Sequence, residues 1–172
     1  MGAIADWGST AEERAREYPC DRHVDAPDLV CFRAVDVAAP PSAVFRWLCQ
    51  LRVAPYSYDW IDNFGRRSPR TRDPANEQLA NGQSMMRIFR LVDFARDRHL
   101  TLIIERTRLF GALAVTYQVA PSPGGTRLVV KLIARLGRAS LMRAILPLGD
   151  LIMMRKQLLT LKALAEREQA IQ

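Results

Sequence analysis

The densest group of side chains able to bind a ligand is the segment YSYDWIDN, which begins at Tyr56. The aromatic faces of Tyr56, Tyr58 and Trp60 can hold an apolar molecule, and the Asp59 carboxylate or a tyrosine hydroxyl can orient its polar end. The opposing interpretation is a short helix, because Tyr56, Trp60 and Phe64 are spaced four residues apart and could pack on the edge of a sheet. The sequence alone leaves both interpretations open.

A second group of side chains that could act on a ligand consists of charged residues within predicted strands. They are Arg87, Glu105 and Arg106. A strand with one buried face directs alternate side chains inward, where a charge needs a partner. An inward arginine together with a tyrosine hydroxyl could polarise a ligand carbonyl, as in an aldol cyclisation. In the alternative interpretation all three residues lie on the solvated outer face.

Other catalytic and cofactor-binding patterns are missing from the sequence. The chain has two histidines, and Cys20-x-x-His23 lacks the second ligand pair that a structural zinc needs. No G-x-S-x-G nucleophile elbow, G-x-G-x-x-G loop or Walker loop occurs. The sequence therefore predicts no catalytic set, no metal and no cofactor.

The net charge of +7 is distributed unevenly, with −4 on residues 1–30 and +11 on the rest. Arginine forks match phosphate oxygens, so the basic run Arg66, Arg67, Arg70 and Arg72 could meet nucleic acid or an anionic lipid. This run lacks the interleaved aromatic residues of RNA-binding surfaces, and the other arginines are scattered along the chain. We therefore expect no nucleic-acid partner.

The cysteines and the hydropathy pattern indicate a compartment. Cys20, Cys31 and Cys49 form an odd set without a CxxC pair, which argues against a disulfide framework. No apolar run approaches the ~18–20 residues that cross a bilayer, and the first residues do not resemble a secretory signal. We expect a reduced, cytoplasmic protein without a membrane span, and the oligomeric state is left open.

The periodicity of apolar residues predicts the elements that position these side chains. A strand is predicted at Val30–Val37, followed by a helix that starts at Pro40-Pro41 and a second short helix that includes Tyr56 and Trp60. A meander of strands follows, each with one apolar face, at Ser84–Asp93, Leu100–Arg108, Leu113–Val119 and Arg127–Arg135. One apolar face per strand predicts a sheet covered on one side.

The two ends of the chain and one connection complete the predicted organisation. A helix is predicted at Ser140–Glu168, with Pro147 and Gly149 expected to kink or divide it. Residues 1–28 are predicted to form an acidic extension with a short helix, and residues 29–172 a single domain. The polar segment 65–82 is long for a plain connection, so it could hold a short strand or act as a flap.

The order of elements predicts an α+β fold in which a curved antiparallel sheet grips the long C-terminal helix, with two short helices after the first strand. Such a sheet leaves a space near its open end. Besides the Tyr56–Trp60 segment, the side chains predicted to line this space are Phe89, Tyr117, Leu148 and Ile152. Polar groups that could enter it are Asp59, Arg87 and Arg106.

Three stretches resemble the START-like superfamily, also called SRPBCC: VDVAAPPSAVFRWLCQL (35–51), TYQVAPSPGGTRLVVKL (116–132) and LLTLKALAER (158–167). The members of this superfamily include polyketide cyclases, lipid-transfer domains and pollen-allergen-type proteins. The resemblance covers roughly residues 29–168 and carries no catalytic signature. It implies a helix-grip fold with a hydrophobic pocket between the sheet and the last helix.

These observations lead to three functional hypotheses. The first is a protein that binds a small hydrophobic or amphipathic molecule without covalent chemistry. The second is an enzyme similar to polyketide cyclases and dehydratases, which requires ionisable groups converging in the pocket. The third is a module that binds a protein partner through its basic surface or its acidic N-terminal helix.

Overall fold

The computed structural model describes residues 6–57, 67–107, 111–135 and 140–171, with the backbone alone described for residues 105–107 and 140–152.

Within the described residues, seven strands form one sheet in the order β1-β2-β7-β6-β5-β4-β3. The strands are β1 (Asp6–Trp7), β2 (Leu29–Val37), β3 (Ser84–Met85), β4 (Phe89–Ala95), β5 (His99–Thr107), β6 (Gly111–Ser122) and β7 (Gly125–Arg135). The first strand runs parallel to β2, and the other neighbours are antiparallel. Strands β4 to β7 form the predicted meander, and β2 closes it by pairing with β7.

Three α-helices accompany this sheet in the described part of the chain: α1 (Ala11–Ala15), α2 (Pro41–Cys49) and α3 (Ser140–Gln169). The extended backbone of Pro40, with φ −67° and ψ 155°, precedes α2, and Pro41 occupies its first turn, where a missing N–H costs nothing. The element α3 continues through Pro147 and Gly149, so these residues do not divide it. The predicted α+β helix-grip architecture is confirmed.

The inner face of the sheet is the face that packs against α3. Alternate residues of the strands form one apolar core with α2 and with Leu158, Leu161, Leu164 and Ala165 of α3. Towards its C-terminus, α3 is bonded to the last residues of β2 and to the residue that follows the strand. Lys162 Nζ donates to the Asp36 carbonyl and the Ala38 N–H donates to Glu166. The N-terminal half of α3 therefore extends towards the Leu29 end of β2.

The outer face of the sheet is also buried, which the sequence analysis did not anticipate. The remaining strand positions form a second apolar cluster with the chain between β1 and β2, and its members are Tyr18, Cys20, Val24, Phe32, Ala34, Ala114, Val129 and Ile133. The expectation of a sheet covered on one side was therefore wrong. Residues 6–24, named here the N-terminal segment, supply the second cover.

Charged groups attach the N-terminal segment to the outer face. Arg127 donates to the Glu13 carboxylate from Nε at 2.7 Å and from Nη2 at 3.0 Å, and Nη2 also donates to the Gly8 carbonyl. Lys131 forms an ion pair with Asp21 at 2.7 Å and lies 5.4 Å from the ring centroid of Phe32. The basic sheet thus pairs directly with the acidic segment.

Gly8 allows the N-terminal segment to approach the sheet closely. Its φ is +75°, and a Cβ atom there would lie 2.2 Å from the Ala34 carbonyl oxygen. A side chain at this position would therefore meet backbone that cannot move aside.

Two predictions about the middle of the chain differ from the structure. The single strand predicted at Ser84–Asp93 is divided into β3 and β4 by a turn in which Met86 and Arg87 have φ of +45° and +67°. The Met86 N–H donates to the Leu51 carbonyl at 2.8 Å, so that the backbone there bonds to the turn after α2 instead of continuing the sheet.

The polar segment has no strand in its described residues 67–82. It contains a 3-10 turn at Pro74–Glu77, which docks on α2 because the buried Gln50 side chain bonds Asp73 and Asn76. Apart from Tyr56 and Ser57, which form a bend, the second predicted short helix lies outside the described residues.

Candidate functional site

Residues on the inner face line up in rows across neighbouring strands. One row runs from Trp7 through Arg33, Val130 and Tyr117 to Leu100, as the strand registers pair each with the next. We name it the polar row because it contains an arginine and a tyrosine hydroxyl. Two strand spacings separate Arg33 from Tyr117, or about 10 Å between Cα atoms.

Tyr117 lies at the centre of a buried hydrogen-bonded chain. Its hydroxyl donates to Gln157 Oε1 at 2.7 Å, and Gln157 Nε2 donates to the Pro55 carbonyl at 2.6 Å. The sulfur atoms of Met154 and Met86 complete the surroundings, 3.8 Å from the Tyr117 hydroxyl and 3.4 Å from Gln157 Nε2. This chain joins β6, α3 and the loop after α2 at one point.

Arg33 supplies the charge of the polar row. It occupies the same alternate positions of β2 as Cys31 and Val35, which belong to the inner-face core, and only 1% of its surface is exposed. Its Nη1 atom donates to the Phe32 carbonyl at 2.7 Å. Beside it, Trp7 carries the Arg155 guanidinium over its ring at 5.1 Å from the centroid.

An apolar row lies next to the polar row, towards the Leu29 end of β2. The strand registers align its buried side chains, which are Cys31, Leu132, Val115, Leu102 and Leu91. The N-terminal half of α3 extends in this direction. The inner face therefore changes from polar to apolar within one pair of residues along β2, from Arg33 to Cys31, and along β6, from Tyr117 to Val115.

Strained backbone lies beside the polar row. Tyr56 has φ of +56°, and Met86 and Arg87 also have positive φ. Such conformations cost about 1–3 kcal/mol in residues other than glycine and cluster at ligand sites. The Tyr56 ring is buried in an edge-to-face contact with Trp47, at 6.2 Å between centroids. Two strained loops thus meet the side-chain amide of Gln157, through the Pro55 carbonyl and the Met86 sulfur.

Only some of the residues predicted to line the site lie close to Gln157. Tyr56 and Tyr117 are buried close to Gln157, Phe89 packs partly buried against the same core, and Arg87 lies in an exposed turn. The others fall outside the described side chains or residues: Tyr58, Asp59, Trp60, Arg106, Leu148 and Ile152.

The sequence analysis did not identify Arg33, Gln157 or Trp7 as members of this site. A signal existed for Arg33, because it shares the alternation of Cys31, Val35 and Val37. It was obscured because Phe32 and Ala34 make the other face of the strand apolar as well. Gln157 follows Met154 by three residues and therefore lies on the apolar stripe of α3.

The far end of α3 is fixed by ionic contacts. Glu168 accepts hydrogen bonds from Arg72 Nε at 2.8 Å and from Trp47 Nε1 at 2.8 Å, and Arg72 also pairs with Glu77. The hydrogen bond from Arg72 is the main reason that the pKa of Glu168 lies below its usual value. Arg72, one member of the basic run, therefore has a structural role.

A separate surface cleft of about 160 Å³ lies on the other side of α2. Its lining residues are Ser42, Phe45, Arg46, Cys49, Glu77, Arg96 and Asp97. Burial raises the pKa of the Cys49 thiol to about 12, so this group is protonated at neutral pH and a poor nucleophile. The charges in the cleft are mixed, and none of them points to a particular ligand.

Among the described residues, no helix is both long enough and apolar enough to cross a membrane.

Comparison with known proteins identifies the fold. No family model and no curated protein matches the chain. A solved structure of a Chromobacterium violaceum protein is similar to it with a TM-score of 0.54 and 16% identity, over 80% of this chain and 96% of that one.

Two further structures come from biosynthetic loci. The di-domain ARO/CYC protein StfQ of the steffimycin pathway has a TM-score of 0.50 and 14% identity, over 82% of this chain and 51% of its own. A protein of the dynemicin biosynthetic locus has a TM-score of 0.50 and 19% identity, over 76% of this chain and 46% of its own. At these identities the comparisons establish a shared fold.

Proposed function

We propose that this protein binds a small hydrophobic or amphipathic molecule between the inner face of the sheet and α3, without covalent chemistry. The observation that carries the proposal is the junction of the two rows: the bond from Tyr117 to Gln157 lies beside a wall of buried apolar side chains. Ligand pockets typically combine such a wall with a few fixed polar groups.

The surroundings of Gln157 support binding because they combine strain with adaptable side chains. Met86 and Met154 have unbranched thioether side chains that can repack around guests of different shape. The strained backbone at Tyr56 and Met86 lies next to the two groups that accept from Gln157 Nε2. A ligand that enters there would displace polarisable side chains, at lower cost than a packed branched core.

The similarity to solved structures supports the same proposal, and we propose in addition that the chain belongs to the START-like superfamily. Similarity to the ARO/CYC protein StfQ and to the dynemicin-locus protein is what a member of the START-like, or SRPBCC, superfamily would give. Membership implies a pocket at this position, lined in addition by Tyr58, Trp60, Leu148 and Ile152. Asp59 and Arg106 are its further candidate polar groups.

Native mass spectrometry of the full chain, purified from its own host, tests the proposal. We expect a co-purifying small molecule. Val115→Phe fills the apolar row and is expected to abolish the added mass. Val129→Phe makes the same change on the outer face, also at a buried position, and is expected to keep it. Equal loss in both variants, or no added mass with any extract of the host, contradicts the proposal.

An enzyme similar to polyketide cyclases and dehydratases is the second candidate. The observation that favours it is the presence of a tyrosine hydroxyl and an arginine in one buried row, since such groups can polarise a carbonyl and move a proton. The released ligand, incubated with fresh protein, would then lose one water. Tyr117→Phe would slow this reaction at saturating ligand, whereas a binding protein returns the ligand unchanged.

A further inference from the structure

The side-chain amide of Gln157 is held in one orientation between α3 and the inner face. Its Oε1 atom accepts from the Tyr117 hydroxyl at 2.7 Å, and its Nε2 atom donates to the Pro55 carbonyl at 2.6 Å. A backbone carbonyl can only accept, so the nitrogen must face Pro55 and the oxygen must face Tyr117. Only 4% of Gln157 is exposed. The amide therefore presents a donor and an acceptor at defined places in a buried setting.

The nitrogen of this amide has one strong partner and one weak partner. Besides the Pro55 carbonyl, Nε2 donates to the Met86 sulfur at 3.4 Å. A thioether is a weak acceptor, whereas a hydroxyl or carbonyl oxygen is a good one. An oxygen atom that replaced this sulfur would thus form a stronger hydrogen bond with the amide. Among the contacts of Gln157, the one with Met86 is the easiest to exchange.

Met86 connects the buried amide to the protein surface. Its sulfur contacts Gln157, although the residue itself is partly exposed, and Ile88 in the same turn is 66% exposed. Methionine is unbranched and has three rotatable side-chain bonds, so its sulfur can move while the backbone stays in place. A guest could therefore reach Nε2 from the turn between β3 and β4 by displacing one flexible side chain.

The groups around the amide include more acceptors than donors. The acceptors are the Pro55 carbonyl, Gln157 Oε1 and the sulfur atoms of Met86 and Met154, and the donors are the Tyr117 hydroxyl and Gln157 Nε2. An oxyanion or a ketone brings only lone pairs, so it could accept from Nε2 but would face the other acceptors without a proton between them. A hydroxyl group can accept from Nε2 and also donate its proton to a neighbouring oxygen, because each carbonyl oxygen has two lone pairs.

From this arrangement we infer that Gln157 selects a neutral ligand that carries a hydroxyl group. The hydroxyl replaces the Met86 sulfur at Nε2, and the apolar body of the ligand lies against the apolar row, which includes Val115 two residues before Tyr117. This inference rests on the proposed binding function and specifies its chemical class. An alcohol and a phenol would supply the same chemistry.

Four compounds of similar size test the preference on the full chain by isothermal titration calorimetry at neutral pH. 2-Naphthol carries the hydroxyl, 2-methoxynaphthalene keeps the oxygen without its proton, and 2-methylnaphthalene has neither. We expect 2-naphthol to bind about tenfold more tightly than 2-methylnaphthalene, and 2-methoxynaphthalene to gain no more than about threefold. Decahydro-2-naphthol has the same hydroxyl on a saturated skeleton, and the tighter of the two hydroxyl compounds distinguishes a phenol from an alcohol.

A substitution of the amide assigns the preference to Gln157. Gln157→Met removes both the donor and the acceptor and keeps an unbranched side chain, so 2-naphthol and 2-methylnaphthalene should then bind within about twofold of each other. Gln50→Met is the matched control, because it also removes a buried amide, but one that bonds Asp73 and Asn76. This variant should keep the tenfold preference. Far-UV circular dichroism and a sharp thermal transition ensure that both variants are folded.

A substitution of the thioether should change the preference in the opposite direction. Met86→Leu removes the sulfur that competes for Nε2, so the preference for 2-naphthol over 2-methylnaphthalene should increase about threefold. Leucine is not branched at Cβ, so the positive φ at this position does not exclude it. Met85→Leu makes the same change at the preceding buried position and should leave the preference unaltered. This pair also tests the inference independently if Gln157→Met does not fold.

Three results would overturn the inference while the proposed function stands. They are equal binding of 2-naphthol and either of its two naphthalene analogues to the wild type, the same preference in Gln157→Met as in Gln50→Met, and a preference that does not increase in Met86→Leu. Each would leave a pocket that binds apolar molecules without selecting a hydroxyl group at this amide. Absence of binding by all four compounds would also overturn the inference. If in addition no molecule co-purifies in native mass spectrometry, the proposed function is contradicted as well.

Discussion

The two faces of the sheet are both buried, but they are built in different ways. On the outer face, the N-terminal segment pairs its acids with Arg127 and Lys131, and Tyr18 meets Phe32 edge to face at 5.9 Å. On the inner face, polar groups lie at the centre of the core beside thioethers and strained loops. The outer face is thus closed by specific contacts within the chain, whereas the inner face combines apolar wall and polar groups as binding sites do.

The largest expected difference between the faces concerns aromatic packing. Phe32→Ala removes a ring that contacts Tyr18 and Lys131, and we expect a loss of about 3–5 kcal/mol in the free energy of unfolding. Phe89→Ala, at a partly buried inner-face position, is expected to cost about 1–2 kcal/mol. Urea denaturation measures both. Equal losses would mean that the outer face is no more tightly packed than the rim of the inner face.

A charge substitution should detach the N-terminal segment without unfolding the sheet. Glu13→Gln removes the charge that pairs with Arg127, and we expect a loss of about 1–3 kcal/mol. Cys20, whose thiol has a pKa raised by burial, should then react faster with a thiol reagent, while Cys49 stays protected. The exposed Glu12→Gln is the control and should stay within about 0.5 kcal/mol of the wild type. Faster labelling of both cysteines would instead indicate global unfolding.

Acid should loosen the outer cover through the same carboxylate. The hydrogen bond from Arg127 lowers the pKa of Glu13 below its usual value of 4.5, with help from the Thr10 N–H and against the effect of burial. A lowered pKa in the folded state gives stability that is present above 4.5 and lost as the pH falls through the lowered value. The Cys20 amide donates to Thr116, and its hydrogen-exchange protection factor, which corrects for the intrinsic pH dependence of exchange, should therefore fall below about pH 4.5 in the wild type.

Glu13→Gln provides the control for this pH dependence. The protection factor of the Cys20 amide should be lower in this variant at neutral pH and should change less between pH 6 and pH 4 than in the wild type, by the same linkage. Glu166 and Glu168 also have lowered pKa values, so exchange near the end of α3 is followed separately. An unchanged acid response at Cys20 in the variant would assign the effect to another group.

The smallest stability effects come from a pair of matched hydroxyl deletions. Tyr18→Phe removes a donor to the Glu13 carbonyl at 3.0 Å on the outer face, and Tyr117→Phe removes the donor to Gln157 on the inner face. Each should cost about 1 kcal/mol. Only Tyr117→Phe should also alter binding of the co-purifying molecule, followed as the added mass in native mass spectrometry. Added mass that changes in both variants, or in neither, would contradict the difference between the two faces.

The fold was predictable because its main elements follow simple rules of spacing and capping. Alternating apolar residues identified β2, β5, β6 and β7, and the Pro40-Pro41 pair marked the start of α2. The turn at Met86 was not predictable, because it contains no glycine or asparagine to signal positive φ. Its conformation depends on the Leu51 carbonyl, a contact that exists only in the folded chain.

The candidate site was predictable in part, for a physical reason. Tyr117 lies on a strand with clear alternation, so its inward direction followed from the sequence. Arg33 lies on a strand that is apolar on both faces, since Phe32 packs under the N-terminal segment and Val35 under α3. A strand that is apolar on both faces does not show which of its faces is the inner one. The second cover itself depends on pairings more than a hundred residues apart, such as Arg127 with Glu13.

The same long-range pairing has a consequence for the order of events during protein synthesis. Arg127 and Lys131, the ionic partners of the N-terminal segment, follow Glu13 and Asp21 by 114 and 110 residues, so the segment leaves the ribosome long before they do. The strand β2 likewise has no pairing partner on this side until β7 has been synthesised. The N-terminal segment is therefore translated well before its docking surface exists, and its apolar side chains stay exposed while the sheet is synthesised. A full-length chain that refolds in vitro has no such delay, because every strand is present from the start.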